Sequence, residues 1–284
     1  MRKIVLCPNV QRDGDFSCTA QVKAMLEAEG HQVVVSPVCG EPNTVPPFEI
    51  QGLDEALTGA DLLVSLGGDG TILRIAPEVM RHSAPLVGVN LGHTGFLTEL
   101  DRENVDLVKR AAAGDFELVP RMMLDVEIMR NGQRVFSDTA LNDVVISGIV
   151  QNVHLTAMGD GNRILAFSGD GVIVSSPTGS TAYSMAAGGP LVEPGTEAII
   201  LTPICAHMLA ARSFVLGPER TVTVLPADIS DGRRCVLTAD GRGMTDLMDG
   251  DEVIVKKSEY KLLMAHLGTK SFYETAFEKL GERA

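Results

Sequence analysis

One short glycine-rich segment limits the folds open to this chain more than any other feature. The apolar run 62–66 leads into three glycines within four residues, Gly67, Gly68 and Gly70, and helical periodicity follows at 71–82. This order predicts a buried strand, a tight loop and a helix, as in the units of a parallel sheet. At the carboxyl end of such a strand, glycines let the backbone approach a ligand, and the helix N-terminus favours an anion.

An acidic residue, Asp69, stands among these glycines. Because a carboxylate repels phosphate, its presence needs a chemical reason. It can accept the proton of an attacking hydroxyl, or help to hold a Mg²⁺ ion between phosphates. The structural alternative is that Asp69 is the N-cap of the following helix. The segment has neither the lysine of a P-loop nor the glycine spacing of the Rossmann fingerprint.

The first hundred residues alternate between strand and helix patterns. Short apolar runs predict strands at 3–7, 32–36, 62–66 and 86–90. Helical periodicity and capping residues predict helices at 19–29, 53–58 and 71–82. Strands separated by helices are typical of a mostly parallel sheet.

The pattern changes after residue 100. A linking helix is predicted at 105–113. The dipeptide Asn131-Gly132, a strong hairpin signal, separates predicted strands at 124–130 and 133–137. Residues 159–162 predict a second turn. Further strands are predicted at 171–175, 221–225, 234–238, 252–256 and 260–266.

These patterns predict an α/β N-terminal domain with a mostly parallel sheet and a mainly antiparallel, β-rich C-terminal domain. The predicted limits are 1–100 for the first domain, which carries the phosphate-binding loop, and 101–266 for the second. Residues 267–284 are expected to form a C-terminal tail, with a helix or irregular chain at 270–280, that packs back on the first domain.

Composition excludes several classes of protein. Lys and Arg number 24 against 37 Asp and Glu, a net charge of −13, so a nucleic-acid partner is not expected. The N-terminus lacks a secretory signal, and no run approaches the ~20 apolar residues of a membrane span. The five cysteines are scattered without zinc-like spacing. We therefore expect a cytoplasmic protein with reduced thiols, no membrane partner and no metal site built from Cys and His.

Several motifs resemble those of one enzyme family. The Gly-Gly-Asp-Gly-Thr loop at 67–71 is similar to the loop shared by NAD kinases, diacylglycerol and sphingosine kinases and, more distantly, phosphofructokinases. Four further segments match NAD kinases in order and spacing, at 90–100, 141–146, 170–190 and 203–212. On these motifs, which cover residues from about 60 to about 265, the chain is identified as a member of the NAD kinase family.

The resemblance implies a reaction and its substrates. It implies phosphoryl transfer from ATP or another donor to the 2′-hydroxyl of the adenosine ribose of NAD, dependent on Mg²⁺ or another divalent ion. It also implies a homodimer or homotetramer, with residues 101–266 as the NAD-binding domain. Two alternatives stay open, a related lipid kinase and a non-catalytic NAD sensor. The sequence does not choose between ATP and polyphosphate, or between NAD and NADH.

The resemblance also assigns site residues. Asp69 is the expected general base, and Gly67, Gly68 and Gly70 line the phosphate site. Asn142 and Asp143 are expected to bind the adenine-side ribose or base, with a capped strand end as the structural alternative. The residues expected to surround or leave room for the bases are Thr178, Thr181, Ala182, Tyr183, Ser184 and Ala186.

Other assignments are less direct. Arg74 stands where the family often has a basic or polar residue near the phosphates, or else lies on a solvated helix face. Asp170 is expected at the nicotinamide end, in this or a neighbouring subunit, and Arg242 near ligand phosphate or carboxamide. Ser168 departs from the Arg or Lys of several relatives. His93 and His207 are expected to be structural hydrogen-bonding residues.

Overall fold

The computed structural model describes residues 1–41, 44–92, 95–208, 211–229 and 234–281. Contacts divide the chain into two compact units, Met1–Pro120 with Lys261–Ala284, and Arg121–Tyr260. The domain limits expected from the sequence stay a prediction, because compact packing does not show which part folds independently.

The first unit is built from alternating strands and helices. Its elements are β1 (Lys3–Pro8), α1 (Ser17–Ala28), β2 (Gln32–Val35), α2 (Leu53–Leu57), β3 (Leu62–Gly67), α3 (Asp69–His82), β4 (Leu86–Asn90), β5 (Leu100–Asp101), a 3₁₀ turn (Val105–Leu107) and α4 (Val108–Ala113).

The sheet of this unit is parallel, as predicted. Its order is β2-β1-β3-β4, and β5 also pairs with β4 in parallel. Every residue of β3 and β4 is buried, which explains why their sequences are continuous apolar runs instead of alternating patterns. Val22 and Leu26 bury one face of α1 in the same core.

The second unit is built almost entirely from strands. The elements from here on are β6 (Glu117–Arg130), β7 (Gln133–Ala140), β8 (Asp143–Gly148), β9 (Val153–Gly159), β10 (Asn162–Gly169), β11 (Gly171–Ser175), a 3₁₀ turn (Thr178–Thr181), α5 (Tyr183–Ala186), β12 (Ile199–Ile204), β13 (Phe214–Leu216), β14 (Val222–Ala227), β15 (Cys235–Ala239), β16 (Arg242–Leu247), β17 (Glu252–His266) and α6 (Phe272–Gly281). Strands β6 and β17 run from one unit into the other, and α6 belongs to the first unit.

Strand pairing in the second unit is antiparallel, as predicted. A six-stranded sheet has the order β13-β12-β11-β8-β15-β16, and the remaining strands pair as β10-β9-β14-β17 and as the β6–β7 hairpin. One apolar core takes side chains from both sets, among them Val144, Val174, Leu155 and Val224. In β9 and β14 buried residues alternate with exposed or half-buried ones, as in strands that bury a single face, whereas every residue of β11 is buried.

Two predicted elements differ from the structure. The helix predicted at 71–82 begins at Asp69. The strands predicted at 252–256 and 260–266 are one continuous strand, β17, because Ser258 between them is buried and its neighbour Lys257 forms an ion pair with Glu197. Within the described residues, no helix is both long and apolar enough to cross a membrane.

Candidate active site

The glycine loop packs tightly against the helix that follows it. A Cβ atom at Gly67 would lie 2.2 Å from the Thr71 hydroxyl oxygen and 2.9 Å from Thr71 Cβ, so only glycine fits there. That hydroxyl accepts hydrogen bonds from the Asn9 side-chain amide at 2.9 Å and the Gly68 backbone N–H at 3.3 Å. The loop is therefore fixed between the end of β1 and the first turn of α3, and Gly70 stays exposed.

The Asp69 carboxylate faces a neighbouring loop and not its own helix. It accepts hydrogen bonds from the backbone N–H groups of Phe96 at 2.6 Å and Leu97 at 3.1 Å. Gly95 makes room for this contact, since a Cβ there would lie 1.7 Å from Asp69 Oδ1. The N-cap is Gly68, so the alternative of Asp69 as helix cap is wrong. The Thr71 and Ile72 backbone N–H groups donate to the Gly68 carbonyl, whereas those of Asp69 and Gly70 precede these first helical bonds and can face an anion.

The segment that holds Asp69 also binds the end of the chain. The Glu99 carboxylate accepts hydrogen bonds from the backbone N–H groups of Leu267 at 2.9 Å and Thr269 at 3.3 Å. The Lys279 ammonium of α6 lies 4.3 Å from the centre of the Phe96 ring, within the range of a cation–π contact. The C-terminal residues therefore contact the segment that donates to the loop carboxylate.

Arg74 lies on the exposed face of α3, one turn after Gly70. Burial raises the pKa of the nearby Cys39 thiol, and the positive charge of Arg74 opposes that rise. This position is compatible with both alternatives for Arg74, a phosphate contact and a solvated helix face, so its role stays a prediction.

In the second unit, a buried carboxylate holds the chain at the start of β8. Asp240 accepts hydrogen bonds from the successive backbone N–H groups of Leu141, Asn142 and Asp143, at 2.7, 2.8 and 3.1 Å. Asp240 and Gly241 form the two-residue turn between β15 and β16, with φ angles of 49° and 66°. This left-handed geometry is typical of Asp-Gly hairpin turns.

Arg242 is part of the same network. Its guanidinium donates to the Asp240 carboxylate at 3.1 Å and the Asp138 carboxylate at 3.2 Å, and also to the Thr139 backbone carbonyl. The side chain is 19% exposed. The structure thus places Arg242 in an internal ion-pair network, and the ligand contact expected from the sequence stays a prediction.

Several buried polar atoms around Asn142 have no hydrogen-bond partner within the described residues. They are Asn142 Oδ1 and the hydroxyl oxygens of Ser175 and Thr178. Ser175 lies opposite Asp143 in the β8–β11 pairing. Because an unpaired buried polar atom costs about 1–3 kcal/mol, each of these atoms is expected to bind water or a ligand group. Sugar hydroxyls, which both donate and accept, suit these atoms.

Asp143 is the titrating group of this region. Burial, together with the neighbouring Asp240 carboxylate, raises the pKa of Asp143 to about 7. Burial also raises the pKa of Asp240, but three backbone N–H donors and Arg242 oppose that rise. Within the described part of the chain no donor reaches the Asp143 carboxylate. We therefore infer that Asp240 is the ionised member of the pair and that Asp143 holds the proton near neutral pH.

The Asp143 pKa predicts a pH dependence of stability. The folded pKa of about 7 exceeds the ordinary value of 3.8, so the folded state retains a proton that the unfolded state has lost. Stability therefore falls as pH rises from about 4 to about 7. We expect Asp143→Asn to remove a penalty on the order of 2–4 kcal/mol. Its melting temperature should exceed wild type by several degrees at pH 8 and match it near pH 4.5. Equal differences at both pH values would contradict this assignment.

The segment 170–190 packs its turn directly on the Asn142 backbone. A Cβ at Gly179 would lie 2.1 Å from the Asn142 carbonyl oxygen, which leaves room only for glycine. The Ser176 backbone N–H donates to that carbonyl at 2.8 Å, and the Ser176 hydroxyl donates to the Leu141 carbonyl. The turn and the start of β8 therefore form one rigid piece.

The predicted base-contacting residues differ in accessibility. The Thr181 hydroxyl donates to the Thr178 carbonyl at 3.2 Å, and the buried Ser184 hydroxyl bonds Thr202 at 3.1 Å. Ser184 thus serves packing in this structure. The Tyr183 side chain is 46% exposed. Of the two alanines, Ala182 is half-buried and Ala186 is exposed.

Asp170 lies exposed between β10 and β11. The exposed Cys205 thiol donates to its carboxylate, which raises the pKa of that thiol. Nearby, the His207 backbone N–H donates to the Ser168 carbonyl at 2.8 Å, in line with a structural role for this segment. His93 lies outside the described residues.

A surface cavity and a group of potential metal ligands include none of the residues expected to contact the substrates. A surface cavity of about 480 Å³ is lined by Val150, Gln151, Asn152, His154 and Ser168. Within the described residues, the one group of potential metal ligands, Asp54, Glu78 and His82, lies on α2 and α3. The hydrogen bond of 2.8 Å between His82 and Asp54 accounts for part of that cluster.

Comparisons with known proteins agree with the fold and the motifs. Family models described as ATP-NAD kinase N-terminal domain and ATP-NAD kinase C-terminal domain match residues 15–113 and 138–267. The NAD kinase of Acetivibrio thermocellus is 41% identical and is aligned over 100% of this chain and 98% of its own length. The NAD kinase of Natranaerobius thermophilus is 35% identical and is aligned over 99% of this chain and 98% of its own length.

Solved structures show the same fold. Yeast NADH kinase complexed with NADH has a TM-score of 0.81 at 24% identity, covering 99% of this chain and 88% of that one. An NAD kinase from Archaeoglobus fulgidus in complex with ATP has a TM-score of 0.75 at 26% identity, covering 98% of both. The fold and the matching family models define a nucleotide-binding kinase. The chain belongs to the NAD kinase family, as its motifs indicated, which decides against the lipid-kinase alternative.

Sequence reasoning missed residues that support the site. Gly95 lies within the family motif 90–100, but the sequence gives no reason for a glycine there. Its close contact with Asp69 is visible only in the structure. In the sequence, Asp240 is recognisable only as part of a turn. Nothing local in an Asp-Gly dipeptide shows that its carboxylate binds three amides almost a hundred residues away.

Proposed function

We propose that this chain transfers the terminal phosphoryl group of ATP, or of another phosphoryl donor, to the 2′-hydroxyl of the adenosine ribose of NAD and so forms NADP. The observation that supports it most strongly is the Asp69 carboxylate, held by two backbone N–H groups and followed by the exposed Gly70. Family membership supplies the substrate class.

The first unit is assigned the donor. Gly67, Gly68 and Gly70 are proposed to line the phosphate site. Because the Gly68 N–H donates to the Thr71 hydroxyl, the phosphates are assigned to the Gly70 backbone N–H and the positive end of the α3 dipole, with Arg74 near them. Such a backbone site lets an acidic protein hold a polyanion without a cluster of cations.

Asp69 is assigned the role of general base. As the 2′-oxygen attacks the terminal phosphorus, its proton passes to the Asp69 carboxylate. The new phosphorus–oxygen bond forms while the bond to the bridging oxygen breaks, and ADP leaves. Two backbone N–H bonds fix the carboxylate but leave lone pairs on both oxygens for this proton.

The same carboxylate suits a divalent ion. Mg²⁺ in nucleotide sites binds one or two carboxylates together with phosphate oxygens, and Asp69 offers oxygen atoms beside the proposed phosphate site. Asp69 would hold the ion, which when bound would neutralise charge on the donor phosphates.

The second unit is assigned the dinucleotide. Asn142 and Asp143, with the unpaired Ser175 and Thr178 hydroxyls, are proposed to bind the hydroxyls of the adenosine ribose. The groups proposed to frame the bases are Thr181, Ala182, Tyr183 and Ala186, with the buried Ser184 supporting them. Asp170 is assigned to the nicotinamide end in the same or a neighbouring subunit of a cytoplasmic homodimer or homotetramer.

One assay tests the proposal. The purified full chain is incubated with ATP, MgCl₂ and NAD, and the 2′-phosphorylated dinucleotide is identified by chromatography and mass spectrometry. Parallel reactions replace ATP with polyphosphate, replace NAD with NADH, or include EDTA. NADP formation that EDTA stops is the expected result. NAD binding by calorimetry without turnover would indicate a sensor and overturn the proposal.

A further inference from the structure

The start of β8 has an unusual support. Asp240 is separated from Leu141, Asn142 and Asp143 by 97–99 positions in sequence, yet its carboxylate binds all three of their backbone N–H groups. Charge-assisted bonds of this kind are about twice as strong as neutral ones. The backbone that carries the Asn142 and Asp143 side chains is therefore fixed in three consecutive positions by one charge.

The Asp240 carboxylate is itself held by Arg242. Arg242 donates to both Asp240 and Asp138, and to the Thr139 carbonyl. The Asp240 side chain is fully buried. A buried carboxylate is stable only when it is paired and hydrogen-bonded, so Arg242 and the three amides together keep Asp240 ionised.

A second Asp-Gly turn in the same unit provides a comparison. Asp160 and Gly161 join β9 to β10 with φ angles of 47° and 79°, close to those of Asp240 and Gly241. The Asp160 carboxylate accepts one backbone N–H, that of Thr221, and pairs with Arg220, but its side chain is 38% exposed. The hairpin turn alone therefore does not require a buried carboxylate bound to three amides.

We propose that Asp240 and Arg242 are positioning residues, which orient the Asn142 and Asp143 side chains for the adenosine ribose of NAD. This inference rests on the proposed function. Asp240 and Arg242 do not contact the reacting atoms in this role. They fix the backbone from which the ribose-binding groups project, and the unpaired Asn142 Oδ1 is held ready for its partner.

The same network also places the negative charge of Asp240 beside Asp143, the carboxyl group proposed to bind the ribose. Within the described residues, Asp240 is the charged group that acts on Asp143. Arg242 and Asp138 lie beyond Asp240 in the same ion-pair network, and the residue opposite Asp143 on β11 is the neutral Ser175. Removing the negative charge of Asp240 lowers the pKa of Asp143. Ionised Asp143 accepts on both oxygens and more strongly than the protonated group, so it is the form that binds the ribose hydroxyls best. The rise of kcat/KM for NAD with pH should then begin at lower pH.

The test compares Asp240→Asn, Arg242→Gln and the matched control Asp160→Asn in the steady-state assay. For the first two we expect KM for NAD to rise about tenfold and KM for ATP to stay within about twofold, since only the acceptor side is disturbed. In Asp240→Asn, the ascending limb of kcat/KM for NAD should also move to lower pH. Asp160→Asn should change none of these parameters.

The outcomes separate the possibilities. Unchanged KM for NAD in folded Asp240→Asn and Arg242→Gln would overturn the inference. Equal increases of both KM values with no shift of the pH profile, or loss of folding in both variants, would show a merely structural role and also overturn it. Wild-type protein that makes no NADP would instead refute the proposed function, independently of the variants.

Discussion

Replacing Asp69 with Asn should lower kcat by about a thousandfold, within the range that general bases contribute. The substitution preserves size but removes the group that takes the 2′-hydroxyl proton. Binding of NAD should change little, so KM for NAD should stay within about threefold of wild type. Steady-state kinetics with both substrates, together with melting temperatures, measure these effects.

Asp13→Asn is a matched control for this variant. Asp13 is also an acidic residue of the first unit that accepts two backbone N–H bonds, from Cys18 at 3.1 Å and Thr19 at 2.9 Å. Both variants should lose stability, because an amide cannot accept at both ends, but Asp13→Asn should retain kcat. Near wild-type kcat in Asp69→Asn, or equal losses of kcat in the two, would contradict a base at position 69.

The second large effect is expected for Gly179→Ala. The new Cβ would meet the Asn142 carbonyl oxygen at 2.1 Å, its carbon at 2.5 Å and the Asn142 Cα at 2.8 Å. All three are backbone atoms, so either the turn 176–181 or the start of β8 must move. We expect a loss of about 3 kcal/mol in the free energy of unfolding, typical of severe overpacking. The affinity for NAD, measured by calorimetry, should fall at least about tenfold.

A glycine sixteen positions later in the chain provides the control. Gly195 has no positive φ, and a Cβ atom at this position would have open space around it, with no other atom within 4 Å. Gly195→Ala should therefore leave stability within about 0.5 kcal/mol of wild type. If Gly179→Ala has the same free energy of unfolding and the same NAD affinity as Gly195→Ala, the turn does not position Asn142.

The sequence predicted best where one stretch of chain decides the structure alone. The buried run 62–66 and the Asn131-Gly132 turn needed no distant partner, and both elements are present. Strand β17 was predicted as two pieces because polar residues at 257–259 interrupt its apolar pattern. Burial of Ser258 and the Lys257–Glu197 ion pair, which are tertiary contacts, keep it continuous.

The candidate site divides in the same way. Asp69, Asn142 and Asp143 were predicted from motifs, and their roles remain proposals. Their supports were not predicted. The Asp69 carboxylate is held by amides 27 and 28 residues away, and Asp143 by a turn 97 residues away. Main-chain amides carry no sequence signature, so a network built from them becomes visible only when the fold is known.

The long reach of Glu99 also bears on the order in which the newly made chain can fold. Its hydrogen-bond partners at the end of β17 and beyond lie 167–170 residues later in the chain. During synthesis the first unit must therefore wait until residues up to Thr269 have left the ribosome before these contacts can form. The second unit is contiguous and has all of its residues earlier, so the usual N-terminal-first order of assembly is reversed for the final steps.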